Sequence, residues 1–168
     1  MRWRLCPVHK TSGAQLHPPS RGAIDKDKFA ACRKAGAHEI VDASKDDVVE
    51  GLKDLTGGRG VDVVVDYISS TATLEAGAKA LGKRGRLVTL GGAGKQFQLS
   101  AMDLLFKEQQ ILGSRYVTRI EVIESLELVA RGEVWPLVSE IRPMEQAEEL
   151  HALVENGKVT GRAALRIA

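Results

Sequence analysis

The residues of this chain that could do chemistry are few and scattered. Cys6, His9 and His17 stand near the amino terminus. Catalytic zinc takes three protein ligands around one open position. These three residues have no accompanying cluster at ligand spacing, so they predict no metal site. His38 and His151 fall beside or on expected helices and should be partly exposed. Neither a Ser-His-Asp set nor a pair of carboxylates can be argued from spacing, and no catalytic residue is assigned. The stretch GGAGK (91–95) follows an expected strand. It lacks the G-x-G-x-x-G spacing that seats a dinucleotide pyrophosphate on a helix N-terminus. It also lacks the Walker A pattern, since Gln96 stands where Ser or Thr belongs and Thr89 where the first glycine belongs. It reads as a turn at a strand end.

The elements that must position any site alternate between strand and helix. Residues 25–35 have helical spacing, with Phe29, Cys32 and Ala35 on one side and Gly36 as the stop. HEIVDA (38–43) is a short strand. Ser44 and Asp47 sit at capping-box spacing before Val48, Val49, Leu52 and Leu55, which share a helical face. VDVVVDYI (61–68) is β-branched and nearly continuous in apolar character, as a strand covered on both faces should be. A helix around Leu74, Ala78 and Leu81 follows, then a buried strand over 85–92, a short helix from Ser100, and a strand over 110–116. A longer helix runs from a Thr118 cap to a Gly132 stop. One more helix and the strand GRAALRIA (161–168) close the chain. Strands separated by helices of this kind predict βαβ units and a parallel sheet.

The bulk properties narrow the function classes. With 168 residues, 43% apolar and 27% charged, the chain can bury a core of its own. A net charge of +2 and 4% aromatic content argue against nucleic-acid binding. Nothing approaches the roughly 20 apolar residues of a membrane span. Two cysteines form no disulfide framework, so a reducing, cytoplasmic setting is expected. Residues 1–22 are basic, carry three prolines and match nothing in the pattern. They are expected to form a disordered leader rather than a transit peptide.

From about Ile24 to Ala168 the chain resembles the cofactor-binding half of zinc-type medium-chain alcohol dehydrogenases. KFAACRKAGAHEIVDASKDD, LTGGRGVDVVVDYISSTATLEAGAKAL, GKRGRLVTLGG, QQILGSRYVTR and ENGKVTGRAAL occur in that family's order and spacing. The resemblance implies an α/β fold over 23–168, an incomplete Rossmann-like doubly wound parallel sheet lacking its first βα unit. It implies NAD or NADP as cofactor, with NAD slightly favoured, and zinc in the family with no ligand set in this chain. Ligands of such sheets sit outside the carboxyl ends of the strands. By resemblance, Tyr67, Ile68, Leu90, Gly91, Gly92, Ser114 and Tyr116 line the nicotinamide and its ribose. Lys28 lies near the adenosine ribose, and Arg162 reaches the pyrophosphate with a guanidinium fork. The plainer alternatives are core positions for Tyr67, Ile68 and Leu90 and a solvated surface arginine for Arg162. Asp25 is either the acid that accepts bonds from the adenosine ribose or a helix N-cap.

The implied parent reaction is oxidation of an alcohol to an aldehyde or ketone, with this chain inactive alone. A zinc-free quinone reductase part and a non-catalytic nucleotide-binding or interaction module are the alternatives. Without strand 1, the strands over 38–43 and 61–68 would be left without their central neighbour. The edge strand over 110–116 is expected to pair with its copy in a homodimer.

Overall fold

Four helices begin where a short polar side chain serves their first amide groups. Asp47 accepts from the Val49 and Glu50 amides and opens α2 (Val48–Leu55). Ser70 and Thr73 exchange bonds in a capping box at the start of α3 (Thr71–Ala80), and Thr118 and Glu121 do the same for α5 (Arg119–Ala130). Ser100 caps α4 (Ala101–Lys107). Such caps are each worth about 0.5–2 kcal/mol. The capping box expected from Ser44 and Asp47 is therefore corrected: Asp47 is itself the cap.

The computed structural model describes residues 14–16, 26–43 and 47–167. Two compact units divide the chain, one of residues 1–20 and 32–115, the other of 21–31 and 116–168. α1 (Lys26–Lys34) begins in the second and ends in the first.

In the first unit, β3 (Val61–Asp66), β4 (Leu81–Thr89) and β5 (Gln110–Gly113) form a parallel sheet in that order. β1 (Ala14–Leu16) pairs in parallel with β2 (Glu39–Val41) in a separate sheet. Three residues of the stretch expected as a leader are thus β1 and give β2 a partner; the rest of that stretch, and Asp25, lie outside the described residues. Among those residues no strand joins the two sheets. Among the described residues β3 pairs with β4 alone.

Val64, Leu74, Ala78, Leu81 and Leu87 make one core cluster, and Val41, Leu52 and Ala80 make a second. Leu87 is fully buried, a contribution of about 1.5–3 kcal/mol. Gly77 lets α3 settle onto Val64 and Leu87, whose side chains a β-carbon there would meet at 3.1 and 3.3 Å. The expectation that β3 is covered on both faces needs correction. Val64 and Asp66 face α3, while Val63 is 54% and Val65 47% exposed on the other side. Side chains alternate along a strand, and this one alternation separates them.

β4 starts earlier than the sequence suggested. Leu81 pairs with Val61 and Arg86 with Val63, so residues 82–85 bulge out of the ladder. Arg84 takes a left-handed conformation in that bulge, and its guanidinium meets Glu108, the left-handed C-cap of α4, at 2.6 Å. β5 is shorter than expected, although the Ser114 amide continues the ladder to the Thr89 carbonyl.

In the second unit, β6 (Val138–Pro143) pairs in parallel with β7 (Arg162–Arg166). A short 3-10 turn (Met144–Gln146) leads into α6 (Ala147–Glu155). β6 was not anticipated from the sequence. No helix among the described residues is long and apolar enough to cross a membrane.

Candidate functional site

The most constructed part of the first unit is the carboxyl end of β3 and β4. Asp66, 8% exposed, ends β3. One carboxylate oxygen accepts from the Ile68 amide at 2.9 Å and the Ser69 amide at 2.8 Å. The other accepts from the Thr73 hydroxyl at 2.7 Å, which ties the strand end to the first turn of α3. Ser69 is 3% exposed and adopts a left-handed φ of +54°. Its Oγ lies 2.6 Å from the Thr89 hydroxyl and accepts from the Gly91 amide at 3.0 Å. The Leu90 amide donates to the Asp66 carbonyl, and the Ala93 and Gly94 amides donate to the Ile68 and Ser69 carbonyls. Two loops, 67–70 and 90–94, are thus stitched together by main-chain and side-chain bonds. Left-handed backbone at a non-glycine residue costs on the order of 1–3 kcal/mol and persists where surrounding bonds over-determine it. Here they do.

Around this frame the predicted residues stand open. Tyr67 is 76% exposed, Leu90 41% and Ile68 36%, so none of them is core. Gly91 is a glycine where two loops meet. A β-carbon there would collide with the Ile68 and Tyr67 carbonyls, so the residue permits loop against loop. At Gly92 a β-carbon would meet nothing within 4 Å. Ser114 continues β5 beside Thr89 and is exposed. The structure therefore brings together Tyr67, Ile68, Leu90, Gly91, Gly92 and Ser114.

Lys28, Tyr116 and Arg162 belong to the second unit. Lys28 is half-buried on α1. Tyr116 is 85% exposed and left-handed, with φ +58°. Arg162 opens β7, its amide bonded to the Leu137 carbonyl at 2.7 Å and its side chain exposed. His38 and His151 are exposed, as expected.

Asp66, Ser69, Thr73 and Thr89 were missed by sequence reasoning. Part of the signal was present: Asp66 closes the strand VDVVVD, and Ser69, Ser70, Thr71 and Thr73 follow within seven residues. Among the described residues no group of three or more His, Cys, Asp and Glu side chains could hold a metal ion. Cys6, His9 and His17 lie outside them. The described residues thus do not fit a zinc site. Planar, apolar exposure above a rigid polar frame does fit a nicotinamide cofactor.

The sequence model of the zinc-binding dehydrogenase family matches residues 22–131. The chain is 30% identical over 142 residues to an NAD-dependent alcohol dehydrogenase of Sulfurisphaera tokodaii, covering 84% of this chain and 41% of the relative. Identity and coverage are the same for an NAD-dependent alcohol dehydrogenase of Saccharolobus solfataricus. The crystal structure of the alcohol dehydrogenase of Aeropyrum pernix superposes with a TM-score of 0.74 at 30% identity, over 82% of this chain and 39% of that one. This chain spans about two fifths of the length of the curated relatives it matches. The match runs through the β3–β4 frame and its two loops, and the chain belongs to the zinc-binding dehydrogenase family.

Proposed function

We propose that this chain is the nicotinamide-cofactor-binding part of an NAD-dependent alcohol dehydrogenase of the cytoplasm. The observation that carries the proposal is the open surface at the carboxyl ends of β3 and β4, where Tyr67, Leu90 and Gly92 stand exposed beside the Asp66–Ser69 frame. When bound, the cofactor supplies hydride transfer at its nicotinamide ring. The work of this chain is to bind and orient it. Tyr67, Ile68 and Leu90 offer apolar contact, and the backbone at Gly91 and Gly92 offers close approach. Ser114 and Tyr116 serve the nicotinamide ribose end, Lys28 the adenosine ribose and Arg162 the pyrophosphate. Asp25 is assigned to the ribose hydroxyls, where an acid disfavours a 2′-phosphate; the NAD dependence of the relatives supports the same preference. No step through zinc is assigned to this chain.

Calorimetric titration with NADH and with ADP-ribose tests the proposal. No G-x-G-x-x-G occurs in the sequence. The expected dissociation constant is therefore about millimolar, a free energy of roughly −4 kcal/mol. Absence of binding well above that concentration would overturn the proposal. Arg162→Ala should weaken both ligands by about 1.5–3 kcal/mol, the scale of a charge-assisted bond. Tyr116→Ala should weaken NADH and spare ADP-ribose. Alcohol oxidation by the isolated chain is not expected, and a zinc-dependent rate above a no-protein control would contradict this.

The homodimer is proposed through β5. It is the terminal strand of its sheet, Ile111 and Leu112 are half-buried, and a β-carbon at Gly113 would meet nothing within 4 Å. A two-fold contact is self-complementary, so one open edge serves both copies. Ile111→Lys should reduce the dimer in sedimentation and leave any aggregates that arise at the open edge of β3.

A further inference from the structure

We propose that Asp66 is a positioning residue for the nicotinamide end of the site, acting through Ser69 on the backbone at Gly91. The inference rests on the cofactor reading above and deepens it. Two hydrogen bonds in series connect the groups: the Ser69 amide donates to the Asp66 carboxylate at 2.8 Å, and the Gly91 amide donates to the Ser69 hydroxyl at 3.0 Å. Ser69 performs both tasks because its φ is +54°, a conformation a serine adopts only when held there. Its amide is held by the carboxylate, which also takes the Ile68 amide and the Thr73 hydroxyl, while its own hydroxyl donates to the Asp66 carbonyl. The Asp66 main-chain oxygen receives the Leu90 amide at 2.9 Å. One residue therefore sets both loops. Residues 90–94 are aligned by a carboxylate that itself stays buried, while the neighbouring Gly92 faces open space. With the carboxylate gone, the turn keeps only the Ser69 hydroxyl bonds to the Asp66 carbonyl and Thr89 and the Gly94 amide on the Ser69 carbonyl, and the hydroxyl that accepts from the Gly91 amide is held less firmly.

A graded series distinguishes positioning from mere stapling. Asp66→Asn keeps an acceptor for both amides and disturbs only the bond to Thr73; Thr73→Val removes the same bond from the other side. Asp66→Ala removes all of them. Two readouts are taken on the full chain: amide hydrogen exchange at Gly91, and the affinities for NADH and ADP-ribose. Asp66→Ala should speed exchange at Gly91 and weaken NADH by about tenfold or more, and change ADP-ribose binding by less than about twofold, while Asp66→Asn and Thr73→Val should fall within about threefold of wild type in both readouts. Unchanged exchange at Gly91 in Asp66→Ala would overturn the proposal, as would parallel losses for the two ligands. If Asp66→Ala does not fold, Ser69→Ala takes its place, since it removes the hydroxyl that accepts from the Gly91 amide; faster exchange at Gly91 with weaker NADH binding supports the link through Ser69, and unchanged exchange there overturns it. If the wild-type chain binds neither ligand, the cofactor reading fails, and exchange at Gly91 decides on Asp66 alone.

Discussion

The two ends of the β3–β4–β5 sheet are built by different physics. At the carboxyl end, a buried carboxylate, the buried Ser69 hydroxyl and two half-buried threonine hydroxyls join two loops into one frame. At the amino end, three helices finish. α2, α3 and α4 carry Lys53, Lys79 and Lys107 in their last turns. With Arg59 and Lys83 these lysines rim a depression of about 240 Å³ over Gly60 and Gly82. By composition that depression looks like an anion site. By physics it is largely spent: each helix C-terminus presents roughly half a negative charge, which a last-turn lysine complements. Lys53 also pairs with Glu50 at 2.7 Å and Lys107 with Asp103 at 3.2 Å. The contrast teaches that charge density does not mark the working end. A frame whose polar groups satisfy one another, and which leaves apolar side chains and one glycine face open, marks it better.

The largest effects should come from the glycines of that frame. Gly91→Ala must push the loop at 90–94 away from the Tyr67 and Ile68 carbonyls. Overpacking of this kind costs about 1–3 kcal/mol, sometimes more. Gly92→Ala meets nothing within 4 Å and should leave stability unchanged. Urea denaturation of the pair measures the difference. Equal midpoints for the two variants would break the comparison, because the carboxyl end would then not be tightly stitched.

Next come the hydroxyls. Ser69→Ala strips the Gly91 amide of its acceptor, and Thr73→Val strips one carboxylate oxygen of its donor. Leaving a buried polar group unsatisfied costs about 1–3 kcal/mol. The double variant should lose less than the sum of the two, since both groups hang on Asp66 and coupled residues are not additive. Strict additivity would show that the two loops are held independently.

The sheet was legible in the sequence where local signals agreed. The apolar run at 61–68, strand over its first six residues, the Thr118 cap and the parallel βαβ rhythm all reappear in the structure. The surface residues at the strand ends followed from the rule that ligands collect there. The stitching was not legible, because it is made by residues twenty or more positions apart: Ser69 with Thr89 and Gly91. Apolar periodicity is silent about hydroxyl pairs. It was equally silent about the bulge at 82–85, which carries the ion pair between Arg84 and Glu108. The strand at Ala14–Leu16 was missed because three residues between polar and proline-rich neighbours carry too short a pattern.

Effects at the amino end should be smaller and should respond to salt. Lys79→Gln removes the last-turn charge of α3. Its cost should be about 0.3–1 kcal/mol at low ionic strength and should shrink as salt is added, because screening shortens the reach of an exposed charge. Thermal unfolding at low and high salt measures both. A salt-independent loss would mean that Lys79 packs rather than neutralises, and the division between a bonded end and a charged end would fail there.

The smallest expected effect is also the most local. Glu108 has its carboxyl pushed below the ordinary carboxylate value by the hydrogen bond from Arg84, and further by that guanidinium's charge. A lowered pKa in the folded state means that the contribution is complete above the unfolded pKa and disappears as pH falls through the folded one. Acid should therefore loosen the bulge at 82–85 below the usual carboxylate range, with no effect of this pair near neutrality. Both partners are exposed, so the change in global stability should be slight. Amide chemical shifts of Arg84, Gly85 and Glu108 should follow one shared titration, and Glu108→Gln should abolish it. The amides of Ser69 and Gly91 should not follow that titration. If they did, the two ends of the sheet would be mechanically coupled through β4, and a charge at the amino end could tune the open face at the other.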